Sequence, residues 1–101
     1  MAFAPPSLDT FVREAGASPA EFARSLHAAH SGGVETLAAG HYRLAEGGVV
    51  LEIVTAVQPA RRIGLFALPV LRAEYRFLGG DRDARAQLLA RLDRAMQRGG
   101  G

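Results

Sequence analysis

Three histidines and twelve arginines are the residues of this 101-residue chain whose types and spacing bear on chemistry. His27 and His30 stand three apart, neighbours on one helix face, and His41 could approach them to place three imidazoles around a metal. No HExxH or comparable carboxylate-histidine motif accompanies them, and His30 falls on an apolar helix face, where a hydrogen-bonded core histidine is the expected outcome. No metal is expected. Glu46 and Glu52 are available for proton transfer, but no spacing pairs them with a histidine. Every basic residue is arginine, so there is no lysine for a Schiff base or a phosphate loop, and a guanidinium is too weak an acid to deprotonate and serve as a base. The absence of cysteine excludes disulfides, thiolate nucleophiles and Cys-ligated zinc or iron-sulfur centres. No catalytic residue and no cofactor is expected, and the composition favours a binding or interaction protein over an enzyme.

Arginine does suit one task, because its planar fork can bond two oxygens of a phosphate or carboxylate at once. Arg61, Arg62, Arg72 and Arg76 lie on the expected final strand and its approach, and Arg91, Arg94 and Arg98 lie along one flank of the last helix. Together they are expected to form a face for an anionic ligand, a nucleic acid or a protein partner. The formal charge is only +2. It divides unevenly: residues 1–58 hold three arginines against six acids, and residues 59–101 hold nine against four. At physiological salt such a field reaches only about 8 Å. The segment RAEYRF, Arg72 to Phe77, does not match the aromatic ribonucleoprotein motif.

A second candidate surface is the run from Ile63 to Leu71, which contains no charge. Both faces of a strand there must be buried, or one must bind something. It reads either as a central strand between helices or as a dimer seam, partner groove or apolar ligand wall.

The elements that position these residues follow from periodicity. Ser7 reads as an N-cap, and Leu8, Phe11, Val12 and Ala15 at i, i+3, i+4, i+7 predict a first short helix ended by Gly16. Ser18-Pro19-Ala20-Glu21 is a capping box with proline at the first helical position. It predicts a second helix with Phe22, Ala23, Leu26, Ala29 and His30 on one face, stopped at Ser31-Gly32-Gly33. Val34–Ala39 reads as a short strand in preference to a helical turn, with a bulge at Gly40, and His41–Ala45 alternates as a strand. Glu46-Gly47-Gly48 is a hairpin turn into a strand from Val49 to Val57. Gln58 to Arg62 reads as a connector to a strand starting at Ile63, Pro69 as a turn or strand edge, and Val70–Leu78 as an amphipathic final strand. Gly79-Gly80 turns the chain, and Asp81 caps a last helix buried through Ala84, Leu88, Leu89, Leu92, Ala95 and Met96.

The expected fold is α+β: an antiparallel sheet of three to four strands with two N-terminal helices and one C-terminal helix packed against it, in the order α-α-β-β-β-β-α. Residues 1–101 make one domain with a flexible arm at 1–6 and a flexible tail at 99–101. No apolar run approaches the roughly 20 residues of a membrane span, and Met1–Ser7 lacks the features of a signal peptide, so no membrane partner and a cytoplasmic location are expected. A protein partner or a homodimer fits this reading. The terminal Arg98-Gly99-Gly100-Gly101 resembles the tails of ubiquitin-like and sulfur-carrier proteins. Over those four residues the resemblance implies a terminal glycine carboxylate that is activated in a narrow enzyme channel.

Overall fold

The computed structural model describes residues 8–100, in the order β1 (Thr10–Ala15), α1 (Pro19–Ala29), β2 (Glu35–Ala38), β3 (His41–Glu46), β4 (Val49–Ile63), β5 (Phe66–Phe77) and α2 (Arg82–Gly100). The strands form one antiparallel sheet with spatial order β1-β5-β4-β3-β2. The expected order with two N-terminal helices and three to four strands is corrected to β-α-β-β-β-β-α with five strands. The expected arm at 1–6 lies outside the described residues, as does Gly101. Gly99 and Gly100, expected in a frayed tail, continue α2.

Local signals built the helices where the sequence put them. At α1 the Glu21 N–H donates to Ser18 Oγ at 3.2 Å and the Ser18 N–H donates to Glu21 Oε1 at 2.9 Å. That reciprocal bond holds the Glu21 carboxyl below its ordinary range. At α2 the Ala84 N–H donates to Asp81 Oδ1 at 2.8 Å. Between β3 and β4, Gly47 and Gly48 have φ of 56° and 83°, as a two-residue hairpin turn of the strand-matched hand requires. Leu26 of α1 and Leu88, Leu89 and Leu92 of α2 then bury against Leu51, Ile53, Leu71, Tyr75 and Phe77, so both helices cover one face of the sheet.

The predicted first helix is β1, paired with β5 from Thr10↔Arg76 to Ala15↔Leu71. Its apolar residues fit a helical spacing, but its operative period is two: Phe11, Arg13 and Ala15 share the covered face. Arg13 hides the alternation because it is charged and yet faces inward. Its guanidinium lies 5.3 Å and 5.4 Å from the Phe11 and Tyr75 ring centroids and pairs with Asp93 at 2.7 Å. A local stripe therefore lost to a partner strand some sixty positions away. The expected bulge at Gly40 lies instead between Thr36 and Ala38 of β2. Gly40 occupies the turn, where its carbonyl accepts from the Thr55 N–H and Oγ1.

The predicted connector at 58–62 belongs to β4, and Pro69 lies inside β5. Pairing passes from Gln58↔Val70 to Arg61↔Leu68, so Pro59 and Ala60 stand opposite Pro69 alone. A proline without an N–H is tolerated at such a bulge. The uncharged run Ile63–Leu71 is thus not a central strand between helices. It crosses a two-residue turn at Gly64-Leu65, with Gly64 at φ 59°, and runs down both sides of a hairpin tip.

Candidate functional site

Alternation along the unbroken β5 puts Arg72, Glu74 and Arg76 on the sheet face away from the helices. Glu74 sits between the two arginines, at 3.9 Å from Arg72 and 3.2 Å from Arg76. On the same face Glu52 takes Arg43 at 3.0 Å and lies 3.5 Å from His41 Nε2. The Arg43 bond holds the Glu52 carboxyl below its ordinary range, with a smaller contribution from His41. The 3.5 Å contact is at the limit of a hydrogen bond, so the buried His41 Nε2 is poorly satisfied. This half of the open face is a checkerboard of opposed charges.

The other predicted arginines are dispersed. Arg61 pairs with Glu14 of β1 at 3.2 Å, and Arg62, one position on, has no ion pair among the described residues. Arg91 of α2 pairs with Glu46, Arg94 is exposed on α2, and Arg98 belongs to the last turn of that helix. Because α2 packs on the covered face, these three stand on the opposite side of the sheet from Arg72 and Arg76. The structure brings Arg72 and Arg76 together around a carboxylate and does not join them to the helix arginines.

The histidines also go to separate places. The His27 ring meets Tyr42 edge-on at 6.5 Å between centroids. The buried His30 has Nδ1 3.0 Å from the Gly33 carbonyl and Nε2 3.3 Å from Glu46. His41 is with Glu52. Among the described residues no group of three or more histidines, aspartates and glutamates is arranged to hold a metal.

The unpredicted feature is an arm. β3 leaves β4 at Val54 and β1 leaves β5 at Leu71, so residues 57–70 form a hairpin with no third strand paired to it, tied to β1 by the Arg61–Glu14 contact. Leu65 at its tip is fully exposed, Phe66 is 71% exposed, Val57 69%, Ile63 54% and Leu68 44%. Phe66, Leu68 and Val70 share the open face, with Ile63 paired to Phe66 and Arg61 to Leu68. No acid occurs between Glu52 and Glu74, so arginine supplies the only charge on the arm, and Gln58 is its one uncharged polar side chain. Two signals in the sequence mark it: that acid-free stretch, and Gly64 placed midway between Pro59 and Pro69.

Where the arm leaves the body, β1, α1 and α2 enclose a cleft of about 350 Å³. Ala15, Ala17, Phe22, Ala73 and Met96 form its apolar wall, and Glu14 and the Arg13–Asp93 pair lie at its edge. Burial pushes the phenol of Tyr75, also in the wall, up to about 12, so it stays protonated through the neutral range.

No family model matches this sequence, and no curated protein matches it either. Function must be read from the geometry. Among the described residues no helix is long and apolar enough to cross a membrane.

Proposed function

We propose that this protein is an interaction module that docks onto a protein partner through the 57–70 arm. The observation that carries the reading is the exposure of Ile63, Leu65, Phe66 and Leu68 at the end of one hairpin that no third strand flanks. Each large apolar side chain moved from water into a partner returns about 1.5–3 kcal/mol. Ile63, Phe66 and Leu68 share one face of the hairpin beside Leu65 at its turn, a surface of the kind that marks interaction sites. Arg62, with no ion pair among the described residues, adds charge steering, which affects encounter rate more than affinity.

The arginine face has less support as a nucleic-acid or phosphate site. Arg72 and Arg76 share Glu74, Arg61 is matched by Glu14 and Arg91 by Glu46, which leaves a weak net field. The two readings separate by salt, since phosphate contacts weaken steeply as salt rises and apolar contacts do not.

The test is a photo-crosslinking side chain at Leu65, with the exposed Arg24 of α1 as control position, in cells that express the protein. A discrete adduct from Leu65 that is absent from Arg24 and persists at high salt is expected. Identical patterns from the two positions would refute the reading.

A further inference from the structure

We propose that His30 is a proton-operated latch: with a proton on both ring nitrogens it ties the end of α1 to β3, and with one proton it lets β3 go. The proposal goes beyond the docking role and does not depend on it, since Glu46, the group the ring reaches, lies opposite Val49 at the other end of β4 from the arm.

The ring is held in a built socket. His30 caps the C-terminal end of α1 and is only 6% exposed. Its carbonyl accepts from the Gly33 N–H at 3.2 Å and its Nδ1 lies 3.0 Å from the Gly33 carbonyl, so backbone and ring grip the same residue. Gly33 makes both contacts with φ of 105°, a conformation that favours glycine. A Cβ at Gly32 would stand 2.9 Å from His30 Cε1, so a side chain there would push the ring aside. The two glycines that stop the helix are therefore also the floor of an imidazole site.

The role of the proton follows from the chemistry of the two ring contacts. A carbonyl oxygen only accepts, so Nδ1 must donate to Gly33. A neutral imidazole has then used its one N–H, and Nε2 turns a lone pair toward Glu46 Oε1 at 3.3 Å, acceptor against acceptor. A second proton converts that contact into a charge-assisted hydrogen bond. The positive ring also lies at a helix C-terminus, where a cation is favoured.

Glu46 follows Tyr42 and Leu44 on the covered face of β3, and its Oε2 takes Arg91 of α2. One carboxylate thus joins both helices to the sheet when the latch is closed. Glu46 and, through it, Arg91 are the charges that face the ring. Of the neighbouring titratable groups, His27 turns to Tyr42, and Glu35 of β2 stands opposite Arg43, which reaches Glu52 on the open face. Because the closed latch binds the second proton, its contribution to stability is present below the titration of the imidazole and is lost as the pH rises through it.

Ring-nitrogen NMR and urea unfolding test the latch together. At mildly acidic pH both His30 nitrogens should carry protons, and on raising the pH Nε2 alone should lose its proton, leaving it on Nδ1. The folding equilibrium constant of the wild type relative to Glu46→Gln should be roughly tenfold larger at mildly acidic than at mildly alkaline pH. The same ratio measured in an Arg91→Gln background, where the His30–Glu46 contact is left in place, should keep that pH dependence. A ring that retains its proton on Nε2 at alkaline pH, or a ratio that does not change with pH, overturns the proposal. A dependence that vanishes with Arg91→Gln would belong to the Arg91–Glu46 pair and overturns it as well.

Discussion

Leu51 and Leu65 belong to the same β4–β5 hairpin, yet the first is wholly buried and the second wholly exposed. Over residues 49–54 the hairpin is flanked by β3 and β1 and lies beneath both helices, and beyond Val57 no other strand pairs with it. The contrast teaches that apolar content does not decide burial along a strand. Burial is decided by how far the neighbouring elements extend, and here they stop about 20 Å short of the hairpin tip.

Stability measurements should break or uphold this contrast. The largest effect is expected at Leu51→Ala, about 2–5 kcal/mol lost in urea unfolding, because the truncation leaves a cavity among Ile53, Leu92 and their neighbours. Leu65→Ala should stay within about 0.5 kcal/mol in the isolated monomer. A loss at Leu65 comparable to that at Leu51 would mean that the arm is packed in solution.

Next in size is the cover itself. Ser18→Ala removes the hydroxyl that caps α1 and should cost about 1 kcal/mol. Hydrogen exchange should quicken in α1 and leave residues 58–63 unchanged, which sharpens the distinction between the covered body and the bare arm.

A smaller loss than that of the cap belongs to the open face. Glu52 has a depressed pKa when folded, so its stabilisation is present above the unfolded carboxylate range and is lost as pH falls through its folded value. Glu52→Gln should cost roughly 0.5–1 kcal/mol near neutrality and flatten the acid limb of the stability profile. An acid limb identical to that of the wild type would show that the Arg43–Glu52 pair contributes nothing measurable.

The parts of the fold legible in the sequence were those whose cause is local. The Ser18–Glu21 box, the Asp81 cap and the Gly47-Gly48 turn each act within four residues, and each lies where the chemistry of its own segment requires. What was misread depended on distant partners. Phe11, Val12 and Ala15 satisfied a helical spacing until β5 offered them a register. Pro59 and Pro69 looked like breaks in two separate strands, because their mutual placement at one bulge needs the β4–β5 pairing. The candidate arginines were legible as residues and not as a constellation. Strand alternation sends Arg72 and Arg76 to one face of the sheet, and the packing of α2 puts Arg91 and Arg94 on the other.

By itself, then, the sequence determined the two capped helices, the tight turns, the exclusion of cysteine and lysine chemistry, and the acid-free stretch between Glu52 and Glu74. Tertiary structure alone decided that this stretch is bent at Gly64-Leu65 and paired with itself, with Ile53, Leu71 and Ala73 buried at its base and Ile63, Leu65 and Phe66 exposed at its tip. The physical reason is range. Caps and turns are settled by hydrogen bonds within a few residues, whereas exposure of an apolar strand depends on where elements remote in sequence come to an end.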